Sequence, residues 1–457
     1  MPSTPTAVSA PGKVLLAGGY LVLDRQYTGL VFGLSARINV IAQEIKTSPG
    51  VQLSEIAVDS PQFYEAQWRY GYHLAPENGG IKVTQLHIGS TINPNPFVEV
   101  TLAYALTYIT AAGHLKPSYT FDPVQLRILA DNDYYSQPHS TASSSPSSIS
   151  SSAPARFIKF GTKLKDAHKT GLGSSAALVT SLTAALLTHY LPRSTFDLET
   201  DKGKRTLHNL AQAAHCAAQG KVGSGFDVAA AVYGGCVYRR FSPSVLRDLP
   251  EVGAPGFAPA LAACVDSAEG SASKWDTEIS KDSAKMPPGV ALRMCDVDCG
   301  SQTVSMVKQV LKWRDETDPA GAKKLWDELQ ARNEALGAVL SNDRKDKIRD
   351  AVAKIRELVR AMGKASGVPI EPESQTALLD ALTKNVEGVY GGVVPGAGGY
   401  DALALLVKDD EATEERVKQF LTKWSQEKGE KVRLLDVKGE MEGVRKEGLR
   451  QYDGWLS

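Results

Sequence analysis

A mixed protein of strands and helices, built as two domains or as one large α/β domain with appendages, is what this sequence predicts. Three observations lead there. The chain has 457 residues, too many for one typical small core. Runs rich in Val, Ile and Leu, bounded by Gly, Pro and Asp, alternate along it with segments of helical period. The balance of 42% hydrophobic and 22% charged residues is that of a soluble globular protein able to bury a large interior.

Composition also excludes several classes. Lys and Arg number 51 and so do Asp and Glu, so no net charge draws the chain to nucleic acid or to an anionic membrane. No run is long and apolar enough to span a bilayer, and the start Met1-Pro2-Ser3-Thr4 lacks the basic and apolar parts of a signal peptide, which makes the cytosol the expected location. Cys216, Cys236, Cys264, Cys295 and Cys299 have no C-x-x-C spacing and read as reduced intracellular thiols. Cys295 and Cys299 lie in an apolar strand-like stretch without a histidine pair, so they read as strand or core residues rather than metal ligands.

In chain order, residues 8–24 predict a short strand, a Pro11-Gly12 turn and an apolar segment. Lys13 stands out there, because a lysine between that turn and Val14-Leu15-Leu16 either snorkels to solvent or reaches into a site. Residues 28–42, with Gly33 inside, predict a bulged strand; 81–88 and 124–130 predict further strands, and 96–112 a helix opened by proline. A polar loop follows at 131–136. Residues 136–155 are dominated by serine with three prolines and predict a disordered surface insertion. A strand-like run at 156–160 comes next.

Residues 169–177, Lys-Thr-Gly-Leu-Gly-Ser-Ser-Ala-Ala, read as an anion-binding loop entering a buried helix that continues to 187. Gly171 and Gly173 allow a tight turn, and Ser174 and Ser175 can cap the helix. Gly171, Gly173 and Ala176 also match the dinucleotide-binding pattern, but the required strand does not run into the first glycine. No G-x-x-x-x-G-K-[ST] is present, which leaves a phosphate loop of a third kind or an ordinary glycine-containing helix start. An amphipathic helix at 206–220 leads into Gly223-Ser224-Gly225-Phe226-Asp227, where Asp227 is either an N-terminal helix charge or a buried acid aimed at a ligand. A strand at 236–241, a boundary near 243–259, a strand at 290–297, a glycine-serine helix start at 300–307 and charged helices over 312–364 follow. A glycine-rich loop containing Gly396, Ala397 and Gly398, a helix at 411–428 and a strand at 431–437 close the chain.

The ordered set of a Pro-Gly-Lys motif, a G-L-G-S-S-A-A loop, a G-x-G-x-D acid and a late G-A-G-G-x-D resembles the GHMP kinases, the family of galactokinase and of homoserine, mevalonate and phosphomevalonate kinases. The resemblance runs from Ala10 to Leu406. Ala17-Gly18-Gly19-Tyr20-Leu21 replaces a G-E-H segment and is similar to the fungal-type phosphomevalonate kinase branch, as are Ala214-His215-Cys216, Gln219-Gly220-Lys221 and Gly300-Ser301-Gln302. The resemblance implies an α+β chain of the GHMP kinase fold. A ribosomal-S5-domain-2-like domain over 1–242, carrying the 136–155 insertion, would precede a ferredoxin-like domain over 243–457.

It also implies an ATP-dependent phosphotransferase acting on phosphomevalonate, with ATP and Mg²⁺ as cofactors, no nucleic-acid or membrane partner, and a monomer or homodimer. Its residue roles carry over onto matching positions: Lys13 and Asp227 as catalytic residues; Lys169, Gly171, Leu172, Gly173, Ser174, Ser175, Ala176 and Asn132 around ATP; Lys13, Tyr20, Ser224, Gly396, Ala397 and Gly398 around the acceptor; Ser175 on the metal. A metal-holding glutamate of mevalonate kinase has no counterpart, since that region offers Cys216 and Gln219. Lys221, Arg239, Arg240 and Lys274 are candidates for the acceptor's carboxylate. Another small-molecule GHMP kinase, such as mevalonate kinase, and a non-catalytic metabolite sensor remain the alternatives.

Overall fold

Two long strands form the framework that holds Lys13. Strands β1 (Thr6–Ala17) and β2 (Gly29–Glu44) pair antiparallel, and both are buried along most of their length because other elements cover each face. Pro11-Gly12, expected as a turn, lies inside β1 as an irregularity where the register slips between Pro11 and Lys13. The Lys13 N–H donates to the Leu172 carbonyl at 2.9 Å, so the bulge hands one backbone bond to the 169–177 loop. Gly12 is required there, since a Cβ would meet the same carbonyl at 2.7 Å. The computed structural model describes residues 5–48, 54–87, 93–113, 120–136, 155–267, 274–297 and 303–456.

Beyond β2 the sheet continues through β6, β3, β4 and β5, with β3 (Glu55–Asp59), β4 (Gln67–Leu74), β5 (Ile81–Gln85) and β6 (Val124–Ala130). Helix α1 (Pro96–Ala112), α2 (Ser174–Tyr190), α3 (Asp201–Gln219) and α4 (Phe226–Tyr233) cover it. Helix α2 lies on β1 and β2 between α1 and α3. Its Leu182, Leu186 and Leu187 are inaccessible to solvent, each stabilising the fold by about 2 kcal/mol. This burial anchors the start of α2.

Strand β7 (Cys236–Arg239) pairs with β2 and with β8 (Glu278–Ser280). Helices α5 (Ser244–Arg247) and α6 (Phe257–Asp266) follow β7 in the chain, and α6 packs on α1 and α3. Helix α6 and strand β8, although they lie beyond residue 242, therefore pack with the first half. The second layer of the molecule starts at β9 (Val290–Val297), and helices α7 (Thr303–Lys312), α8 (Pro319–Ser341), α9 (Lys345–Ser366) and α10 (Glu373–Asn385) follow it. Strands β10 (Val389–Val393), β11 (Ala402–Lys408) and β12 (Val432–Glu440), with helix α11 (Glu411–Lys428) between the last two, complete an antiparallel sheet ordered β10-β11-β9-β12. Gly439 and Glu440 of β12 pair with Leu34 and Gly33 of β2, so the two sheets are continuous. The tail returns to the first half, where β13 (Arg445–Lys446) pairs with β1 and the Tyr452 hydroxyl donates to Asn39 at 2.9 Å.

Residues 156–160 form no strand. Their apolar side chains fill aromatic clusters instead, Phe157 stacking on Tyr452 and Phe160 on Phe63 at 4.9 Å. All but the ends of the serine-rich insertion, together with Cys299 and the 300–302 helix entry, lie outside the described residues. The other four cysteines are buried and free. Among the described residues no helix is long and apolar enough to cross a membrane.

Candidate active site

The loop entering α2 has Gly171 and Gly173 in left-handed conformations, and no side chain caps the helix. Its first N–H groups thus lack a side-chain acceptor at a positively polarised helix end. A cavity of about 320 Å³ opens beside it, lined by Lys169 and residues 171–175 with Phe97 and Tyr134. It adjoins an apolar cleft that includes Phe63, Trp68 and Tyr135. The loop is held from behind, since Thr170 donates its N–H to the Tyr134 carbonyl at 3.1 Å and its hydroxyl to the Asp133 carbonyl at 2.6 Å. Ala176 is buried in the first turn of α2 and is not among the residues lining this cavity. Asn132 takes a different part: its amide donates to the Ala155 carbonyl and accepts from the Ile158 N–H, which ties down 155–158 rather than meeting the loop.

Lys13 extends from the β1 bulge to this loop, its Nζ donating to the Gly171 carbonyl at 3.3 Å and lying 5.7 Å from the Phe226 ring centre. Burial lowers the lysine pKa below its ordinary value, while the charge of Asp227 opposes that shift. Asp227 sits in the first turn of α4 and accepts from the Val228 N–H at 3.0 Å, leaving its carboxylate partly exposed. Behind it, His215 on α3 is buried. One ring nitrogen lies 3.9 Å from Asp227 Oδ2 and the other 3.2 Å from Ser175 Oγ. Thus Lys13, the 169–177 loop and Asp227 converge, although they are remote in sequence.

Residues 148–235 match the family described as the GHMP kinases N terminal domain. The chain is 64% identical to the phosphomevalonate kinase of Gibberella zeae across 98% of both chains, and 45% identical to that of Aspergillus fumigatus across 100% of this chain and 99% of the relative. The chain belongs to the phosphomevalonate kinase family. The fold agrees: a Streptococcus pneumoniae phosphomevalonate kinase solved with phosphomevalonate and AMPPNP superimposes with a TM-score of 0.60, at 18% identity, over 95% of this chain and 99% of that one. The architecture is the GHMP kinase fold.

In this phosphomevalonate kinase family member the late glycine loop docks on the amino-terminal strands. The Gly396 N–H donates to the Leu15 carbonyl at 3.3 Å, and the buried Tyr20 hydroxyl donates to the Ala397 carbonyl at 2.7 Å. Gly398 packs on Ile370, where a Cβ would lie 2.2 Å from the carbonyl oxygen. Ser224 accepts from the Tyr238 hydroxyl at 2.7 Å through its carbonyl, next to the turn that carries Asp227.

Of the four basic candidates, Arg240 donates to the carbonyls of Leu23 and Gly223 at 2.6 and 2.9 Å, and Arg239 donates to Glu278 and to the carbonyls of Arg25 and Gln26. Both clamp backbone; Lys221 and Lys274 are exposed. Sequence reasoning named His215 and Gln219 only as part of a resemblance and gave them no role. Their signal was available in principle, because two polar residues one helical turn apart interrupt the apolar face of α3.

Proposed function

We infer that this chain transfers the γ-phosphoryl group of ATP to the phosphate of 5-phosphomevalonate, giving 5-diphosphomevalonate and ADP for isoprenoid and sterol precursors. The convergence of Lys13, the phosphate loop and Asp227, in a chain so similar over its whole length to enzymes of that name, supports the reading best.

The chemistry follows from the acceptor. A phosphate monoester has a second pKa near 6 and is already mostly deprotonated at neutral pH, so its oxygen needs no strong base to become a nucleophile. The harder problem is bringing two anions together, which costs about 4 kcal/mol per pair of unit charges at 4 Å in a partly screened site. The Lys13 ammonium and the N–H groups opening α2 offset that repulsion, while Asp227 keeps Lys13 charged and directed. Residues 171–176 and Lys169 hold the triphosphate, with the nucleoside leaving toward Phe97 and Tyr135. Gly396, Ala397 and Gly398, with Tyr20 and Ser224, form the acceptor's side.

The donors beside the loop fit Mg²⁺ in a limited way. Ser175 offers one oxygen, its neighbours His215 and Gln219 present nitrogens, and among the described residues no cluster of three or more His, Cys, Asp or Glu is placed to hold a metal. Ser175 would supply one ligand, with phosphate oxygens and water as the rest. Mg²⁺, when bound, supplies neutralisation of the phosphate oxygens. The reading also places the enzyme in the cytoplasm, which imaging of the tagged full chain checks.

Following ADP release with phosphomevalonate, mevalonate, homoserine and galactose tests the reaction. Phosphomevalonate should be preferred by at least about 100-fold in kcat/KM. Faster turnover of any other acceptor overturns the assignment. For the roles, Lys13→Met should reduce turnover more than Asp227→Asn; loss of all turnover at pH 8 in Asp227→Asn, with Lys13→Met within about tenfold of the parent, reverses them.

A further inference from the structure

We propose that His215 is a positioning residue that links the Ser175 hydroxyl to the Asp227 carboxylate and turns the Ser175 oxygen toward the metal-bound triphosphate. This rests on the kinase reading above. The evidence is geometric. His215 projects from α3 between the start of α2, which carries Ser175, and the start of α4, which carries Asp227. Its side chain is only 2% exposed, and the Phe97 ring lies 5.8 Å from it. A buried imidazole so confined cannot easily rotate.

Its two nitrogens face chemically different neighbours. Asp227 Oδ2, an acceptor, lies 3.9 Å from Nδ1, beyond hydrogen-bond length but close enough to favour a proton on that nitrogen. Nε2 is then the acceptor. The Gln219 side-chain nitrogen lies 3.2 Å from the same Nε2, where it shares that atom's single lone pair with Ser175. With the ring proton on Nδ1, the Ser175 Oγ, also 3.2 Å away, donates its only hydrogen to Nε2 and keeps its lone pairs for other partners. Since Ser175 lines the loop cavity, those lone pairs serve the triphosphate and its cation. A rotating hydroxyl would present them only part of the time. Asp227 thereby acts on the nucleotide side through His215 as well as on Lys13.

The test uses the full-length enzyme with His215→Leu, His215→Gln and Ser175→Ala, measuring Mg·ADP and metal-free ADP affinity by calorimetry alongside steady-state kinetics. His215→Leu should weaken Mg·ADP by about tenfold and leave metal-free ADP within about twofold, as expected for the loss of a group that orients a metal ligand. His215→Gln, whose carbonyl can still accept from Ser175, should recover most of that loss. Adding His215→Leu to Ser175→Ala should weaken Mg·ADP no further, because the two groups act as a unit.

Equal Mg·ADP affinity in His215→Leu and the parent overturns the proposal, and so does additivity in the double variant. If His215→Leu does not fold, His215→Asn, whose side chain is too short to reach Ser175, compared in the parent and Ser175→Ala backgrounds decides the same question. A change of preferred acceptor would overturn the phosphomevalonate assignment alone, since ADP binding does not involve the acceptor.

Discussion

Lys13 runs beneath Gly173 so closely that a Cβ at 173 would lie 2.8 Å from Lys13 Cγ and 2.9 Å from Cε. A side chain at 173 would therefore displace Lys13. Gly173→Ala would also force a side chain into φ 83°, costing on the order of 1 kcal/mol in backbone strain. Displacing Lys13 should cost more in function than in stability. We expect kcat/KM to fall by about 100-fold or more with a modest drop in melting temperature, measured on the same preparation. Near-parental turnover would show that the Lys13 path is not needed.

The balance on Lys13 makes a prediction about pH. Burial lowers its pKa and Asp227 pushes it part of the way back up. Activity that needs the ammonium is present below that pKa and lost as the pH rises through it. Removing the charge in Asp227→Asn lowers the pKa further, so the alkaline limb of kcat/KM should move to lower pH. In Lys13→Arg the limb should vanish, because a guanidinium stays charged. An unmoved limb in Asp227→Asn would assign it to another group.

Tyr20 and Ala397 form one of the contacts by which the late glycine loop reaches the amino-terminal half, at 2.7 Å. Tyr20→Phe leaves the Ala397 carbonyl without that donor, worth about 1 kcal/mol. A loop held less firmly should raise KM for the acceptor by about fivefold while KM for ATP stays near the parental value. A larger effect on ATP would contradict the division of the site into two sides.

His208, buried on α3 with Nδ1 beside Asn209 and no partner for Nε2, makes stability sensitive to acid. Burial lowers its pKa from 6.5 to about 4. The unfolded chain therefore binds a proton between these values that the folded chain refuses, and stability falls as the pH drops from 6.5 toward 4. The full contribution is on the order of 3 kcal/mol. His208→Gln should reduce the stability lost between pH 7.5 and pH 5 by roughly 2 kcal/mol, read from urea midpoints at both values. An identical loss in parent and variant would remove His208 as the cause.

Much of the fold was legible because it is written in local patterns. Helices α1 and α11 and strands β6 and β9 coincide with the predicted 96–112, 411–428, 124–130 and 290–297, since proline starts, helical period and β-branched runs act over a few residues. Pro11-Gly12 misled because the same two residues suit a turn and a bulge, and only the partner strand decides between them. Residues 156–160 misled because apolar letters do not say whether they will pair or pack. Strand β3 has only five residues, and in β4 the alternation of buried Trp68 and Tyr70 with exposed neighbours breaks off at Gly71.

By itself the sequence determined the glycine loop entering α2, the order of the glycine motifs, and the presence of Lys13 and Asp227, for each depends on residue type within a short window. Tertiary structure alone decided that Lys13 passes under Gly173, that Arg239 and Arg240 are used as backbone clamps, and that His215 stands between Ser175 and Asp227. These relations join residues 12 to 217 positions apart, and no local rule reaches so far. They exist because the buried helices α2, α3 and α4 are packed against one another and against β1, which fixes side chains from distant parts of the chain at hydrogen-bond distance.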